Sequence, residues 1–205
     1  MEVKLTKNII LITLQFITLL CFANTAQAWL FQTGDIIFHQ SKSSQSIPIQ
    51  KATNSKYSHM GMIVNKNGKS WVLEAIQPVK YTPLDQWIER GEKRHFVVKR
   101  YKNTLSYNQK IALVKQAEKY LGKPYDVYFE WNDNAIYCSE IVWKSYKNAL
   151  NIELGDLQQL KHFDLESTEV KSLMKQRYGT TIPLTETVIA PSAVFNSKLL
   201  ITIHE

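Results

Sequence analysis

Cysteine is scarce in this 205-residue chain, which holds only Cys21 and Cys138. Two cysteines cannot supply a disulfide framework, and the first of them lies in a segment with the features of a removable export signal. Lys4 and Lys7 precede an apolar run from Ile9 to Phe22, and Ala26-Gln27-Ala28 supplies the small residues of a cleavage site. The run is too short for a membrane-spanning helix and no stop-transfer pattern follows it. A small residue is expected just before a lipidated cysteine, and Leu20 is not small. The pattern therefore predicts a signal peptide over 1–28, cleaved after Ala28, a single domain over 29–205 and a periplasmic location. Cys138 would then be a lone thiol in an oxidising compartment, without a disulfide partner and retained for its chemistry.

Other absences narrow the reading further. No repeat, low-complexity tract or Gly/Ser linker divides the chain, which argues for one hydrophobic core. The formal net charge is +7, but the basic residues are scattered and form no stripe, so no nucleic-acid partner is expected. The excess charge suits peripheral contact with an anionic envelope surface. His39, His59, His95 and His162 show no ligand spacing with cysteines or carboxylates, so neither a metal nor another cofactor is expected.

After Trp29, strand patterns come first and helical patterns later, the order of an α+β fold. Strands are predicted at 34–38, 59–64, 71–75 and 96–101, with a short helix near 47–52. Asn67-Gly68 between two apolar runs is a two-residue hairpin signal. With that turn, Lys66 faces Lys69 and Gly61 faces Glu74. His59 and Glu74 then become diagonal neighbours on one face, with Gly61 leaving room for the carboxylate to lean toward the imidazole. Glu74 is the only charge in Trp71-Val72-Leu73-Glu74-Ala75-Ile76, and a carboxylate so placed needs a partner.

Ser106 and Gln109 form a capping box that opens a helix running to Leu121, with Gly122 as its stop. Tyr128, Phe129 and Trp131 then make an aromatic approach to Cys138, which begins a second amphipathic helix running to Leu150. Its apolar stripe is Ile141, Val142, Ser145, Ala149 and Leu150, and Glu140, Lys144 and Lys147 are expected to face elsewhere. A first-turn cysteine meets unpaired N–H groups and the positive end of the helix dipole, which favour a thiolate and could hold an oxyanion.

These residues sit in segments that together are specific: Thr33-Gly34-Asp35-Ile36-Ile37-Phe38, Tyr57-Ser58-His59-Met60-Gly61-Met62, Glu74-Ala75, Pro78-Val79-Lys80-Tyr81-Thr82-Pro83-Leu84, Tyr120-Leu121-Gly122-Lys123-Pro124-Tyr125-Asp126 and Tyr137-Cys138-Ser139-Glu140. On them the chain resembles the YiiX/YebB-like group of the NlpC-type cysteine hydrolases. The resemblance implies a circularly permuted papain-like fold, an antiparallel sheet packed against helices that include the one led by Cys138. It also implies Cys138 as nucleophile, His59 as general base and acid, Glu74 as the group orienting the imidazole, and Tyr125 as a neighbour of the oxyanion site. The group is also similar to lecithin:retinol acyltransferase-like enzymes. Hydrolysis of a cell-envelope peptide or amide is therefore the expected reaction, with acyl-lipid hydrolysis or transfer, or non-catalytic ligand binding, as the alternatives.

Overall fold

The computed structural model describes residues 31–205; the expected signal peptide and its cleavage site lie outside the described residues. The strands are β1 (Ile36–His39), β2 (His59–Lys66), β3 (Lys69–Glu74), β4 (Lys80–Pro83), β5 (Val97–Tyr101), β6 (Gln158–Gln159), β7 (Thr187–Val188) and β8 (Leu200–His204). The helices are α1 (Ser46–Thr53), α2 (Leu84–Glu89), α3 (Tyr107–Glu118), α4 (Cys138–Leu150), α5 (Thr168–Tyr178) and α6 (Pro191–Phe195). Six strands form one antiparallel sheet in the order β4-β3-β2-β1-β5-β8, and β6 and β7 form a separate pair.

The central strands are buried on both faces, so they read as continuous apolar runs instead of alternating ones. Ile36, Phe38, Met60, Met62 and Leu73 point to the face that carries the main core with α3 and α4. Ile37, Ile63, Val72 and Val98 point to the opposite face, where Trp87 of α2 completes a smaller cluster. His39 and His59 are a cross-strand pair on this second face, at the end of the sheet. The β2–β3 turn has Asn67 at φ 53° and Gly68 at φ 70°, the left-handed pair that a type I′ hairpin requires. Its register pairs Lys66 with Lys69 and Met62 with Leu73, as the sequence predicts.

Two motif residues of the sequence act in the scaffold. Asp35 is buried and takes a two-pronged contact from Arg100, Nε to Oδ1 and Nη2 to Oδ2, each at 2.7 Å. Tyr146 of α4 donates its hydroxyl to the Gly34 carbonyl, which fastens the helix to the beginning of β1.

The structure corrects two expectations. Helix α3 ends at Glu118, and a turn carries the chain on to Gly122. Helix α4 does not expose a polar side at Glu140 and Lys144, because the segment before Cys138 covers it. Both residues are buried, and Lys144 Nζ lies 2.8 Å from Glu140 Oε1, 2.8 Å from Asp133 Oδ1 and over the Trp131 ring. A charge can enter such a site only with its counter-charge. Among the described residues no helix is long and apolar enough to cross a membrane.

Candidate active site

Cys138 owes its position to the entry into α4. Tyr137 is extended, at φ −107° and ψ 171°, and its N–H donates to Glu140 Oε2 at 3.3 Å. The helical ladder begins with Ile141 N–H donating to the Tyr137 carbonyl, so the N–H groups of residues 138–140 have no acceptor within the helix. The helix end is pinned to the segment beside β7. Ser139 Oγ donates to the Ile189 carbonyl at 2.7 Å, and the Ile189 N–H donates to Tyr137 Oη at 3.0 Å. Cys138 is a free, buried thiol.

His59 lies between this sulfur and Glu74. Its Nε2 is 2.7 Å from Glu74 Oε2, which leaves Nδ1 to serve Cys138. Burial opposes a charge on the imidazole. The hydrogen bonds and charges of Cys138 and Glu74 outweigh it and raise the His59 pKa to about 9. The ring is thus an imidazolium at neutral pH, with both nitrogens as donors.

Glu74 is wholly buried and each oxygen accepts twice. Oε2 takes His59 Nε2 and Trp87 Nε1, the latter at 2.9 Å; Oε1 takes Thr82 Oγ1 at 2.6 Å and Arg90 Nη2. Burial would favour the neutral acid, but His59, Arg90 and Thr82 reverse this and hold the carboxyl below its ordinary value. Gly61 is the residue that makes room. A Cβ there would stand 2.5 Å from Val72 Cγ1 and 3.2 Å from Glu74 Cβ.

Tyr125 lies near Cys138 and shares a hydrogen bond with Gln45. Burial first, and then the charge of Cys138, hold its phenol well above the ordinary value, so it stays a neutral hydroxyl. The sequence-predicted residues Cys138, His59, Glu74 and Tyr125 therefore converge. Sequence reasoning missed Thr82, Trp87 and Arg90, which complete the Glu74 shell, and His39, which stacks on Trp87 at 3.8 Å between ring centroids. The one available signal was Thr82, inside the 78–84 segment that carries the family resemblance. Trp87 and Arg90 belong to a short helix and its C-terminal end, which no pattern marked.

Two cavities meet here. An apolar slot of about 580 Å³, counting its open mouth, is lined by Cys138 and by side chains of α1, α5 and the segment after β7. A polar cleft on the other side is lined by His59, Ser41, Lys42, Gln45, Gln77 and Arg90. Tyr125 borders both.

A helix led by a cysteine, packed on an antiparallel sheet whose histidine precedes that cysteine in the chain, defines a permuted papain-like protein. Comparison with known proteins agrees: the profile of the C92 peptidase family, described as permuted papain-like amidase enzymes of the YaeF/YiiX type, matches residues 30–204, and the chain belongs to that family. It is 54% identical over 178 residues to the uncharacterized protein YiiX of Escherichia coli K12, covering 87% of this chain and 88% of the relative. The crystal structure of metalloprotein yiiX from Escherichia coli O157:H7 superposes with a TM-score of 0.83 at 55% identity, covering 85% of this chain and 97% of the other.

Proposed function

We propose that the protein is an exported thiol hydrolase that cleaves an amide or ester bond of a cell-envelope molecule through Cys138, His59 and Glu74. The observation that carries the reading is the imidazole set between a free thiol at a helix N-terminus and a buried carboxylate 2.7 Å away. Cys138 Sγ attacks the carbonyl carbon, and the N–H groups at the start of α4, with the Tyr125 hydroxyl beside them, stabilise the oxyanion. His59 passes its proton to the leaving amine or alcohol as the carbonyl bond to that group breaks, and the acyl group remains on sulfur. Water then attacks the thioester, aided by His59 as base, and releases the acid. Glu74, held by four donors, keeps the ring oriented and balances its charge. Export to the periplasm rests on the basic start, apolar run and Ala-Gln-Ala site of residues 1–28.

The solved relative is called a metalloprotein, which raises the question of a metal in this chain. The donor set here does not fit one. Both oxygens of Glu74 are filled by donors, including a guanidinium, and His59 uses Nε2 on that same carboxylate. His39 Nδ1 is buried without a partner beside Gly91 and the Trp87 ring, and the neighbouring His59 ring is committed through Nε2 to Glu74. Among the described residues no three His, Cys, Asp or Glu side chains gather as a metal site. The thiol mechanism uses no metal.

Peptidoglycan fragments and envelope lipid extracts incubated with the purified protein, and read by mass spectrometry, test the proposal. Cleavage products should form with the parent protein and not with Cys138→Ser. Equal product from both proteins would refute the role of the thiol.

A further inference from the structure

A phenol hydroxyl carries one proton and can donate in one direction only, so a Tyr125 that serves the oxyanion must have its hydroxyl turned the right way. The group beside it decides this. Gln45 stands at the N-cap position of α1, yet its side chain makes no capping hydrogen bond. It faces the polar cleft that Tyr125 also borders. Its Oε1 accepts from Arg177 Nη2 at 2.6 Å, and its amide shares a hydrogen bond with the Tyr125 side chain. A guanidinium has donors and no acceptor, so only the oxygen of the amide can face it. Nε2 is thereby left for Tyr125 and donates to Oη. The phenol accepts on that side and keeps its own proton free for another partner, and Cys138 is its charged neighbour there.

Stability does not account for Arg177. The residue comes from the last turn of α5, with its guanidinium over the Phe129 ring at 4.6 Å from the centroid. Nη1 is buried without a hydrogen-bond partner, and none of the ion pairs among the described residues includes Arg177. Asp126 acts on it only as a more distant charge. A cation left this way costs stability that a neutral side chain of the same length would not. Such a side chain would not dictate which end of Gln45 meets Tyr125.

We propose that Arg177 and Gln45 are positioning residues that set the direction of the Tyr125 hydroxyl. The guanidinium fixes the Gln45 amide, the amide donates to Tyr125 Oη, and the phenol proton is left for the oxyanion formed at Cys138. This relay rests on the thiol-hydrolase reading and adds to it two residues that act through Tyr125.

Gln45→Glu separates the relay from a scaffold role. The carboxylate keeps the contact with Arg177 and gives it a counter-charge, so the urea midpoint should not fall below that of the parent. It has no proton to give, however, and draws the Tyr125 hydroxyl toward itself. Two reactions of Cys138 read the result: acylation by 4-nitrophenyl acetate passes through an oxyanion, and alkylation by iodoacetamide does not. Gln45→Glu and Tyr125→Phe should each slow acylation on the order of a hundredfold, as loss of one oxyanion donor does, and leave alkylation within about twofold. In the Tyr125→Phe background, Gln45→Glu should slow acylation no further. Arg177→Met lets the amide turn either way and should give the same selective loss, smaller in size; if Gln45→Glu does not fold, this variant decides alone. Parent-like acylation in these variants, equal losses in both reactions, or a full Gln45→Glu effect without the Tyr125 hydroxyl would overturn the relay and leave the thiol hydrolase standing. No acyl adduct on Cys138 of the parent, by intact mass, would overturn the hydrolase reading itself.

Discussion

Glu74→Gln is nearly isosteric, yet the geometry makes it costly in two measurable ways. The carboxylate accepts from four donors, two on each oxygen. A Gln side chain keeps one acceptor oxygen and presents an NH₂ group to two donors, whichever way the amide is turned. Two donors then lose their acceptor, at roughly 1–3 kcal/mol each where the donor is buried and less for half-exposed Arg90, so the expected destabilisation is about 2–6 kcal/mol. The second effect is on His59. Its rise from 6.5 to about 9 corresponds to roughly 3 kcal/mol in favour of the imidazolium, of which Cys138 and Glu74 supply the positive part. Because the folded value is raised, this stability is fully present below pH 6.5 and is lost as pH climbs through 9. With Glu74 neutral, the Cys138 contribution remains and the imidazolium should lose its proton at a lower pH. Hydrolysis of 4-nitrophenyl acetate should show an alkaline limb near pH 9 in the parent and a limb shifted acidward in the variant. Urea unfolding at about pH 7 should show the stability loss. Parent-like unfolding together with an unmoved alkaline limb would refute the argument that Glu74 is a saturated, charge-bearing partner of His59.

Gly61→Ala should destabilise by about 1–3 kcal/mol or more and reduce activity, because its Cβ meets Val72 Cγ1 at 2.5 Å and presses on Glu74; urea midpoints and turnover check this. Burial, with the charges of His59, Arg90 and Lys42, lowers His39 to about 2, so stability is lost as pH falls below 6.5, and His39→Asn should show a shallower loss in urea titrations between about pH 6 and 4. Arg100→Ala should cost roughly 3–5 kcal/mol by leaving buried Asp35 without its guanidinium, read as a fall in the urea midpoint. Intact mass of the exported protein should begin at Trp29; retention of Met1 would refute the cleavage expectation.

The half of the site built on local rules was legible in the sequence. Asn67-Gly68 sets a two-residue turn, the turn sets the β2–β3 register, and the register places Glu74 beside His59 across Gly61. Cys138 in the first turn of α4 followed in the same way from helical periodicity. What could not be read depends on contacts between distant segments. Trp87 and Arg90 reach Glu74 because α2 folds back over the second face of the sheet, and the six residues of that helix are too few to display a period. The burial of Glu140 and Lys144 was invisible for a related reason. A charge four residues from an opposite charge normally marks a solvated face, and only the covering segment with Asp133 and Trp131 turns that pair inward. The slot was equally hidden, since its far wall comes from Val170, Leu173 and Met174 of α5, in a part of the chain whose sequence carries no site motif.

His39 and His59 show how little the residue type decides. They are cross-strand partners with ring centroids 5.4 Å apart, yet burial carries one down to about 2 while the other rises to about 9. The difference lies in what each ring touches. His59 has hydrogen-bond partners in Cys138 and the Glu74 carboxylate, whereas His39 has the Trp87 ring against its face and an unpartnered Nδ1 directed at Gly91. The positive charge of His59 itself pushes His39 toward the neutral form, so ionisation of the first reinforces neutrality of the second. The Glu74 carboxylate already has two cations against it, His59 and Arg90. A proton on His39 would add a third positive charge beside His59 and Arg90, whose charges already oppose it. The neutral histidine is therefore a condition for the charged one, and a substitution that gave His39 a counter-ion would be expected to draw the proton away from the catalytic pair.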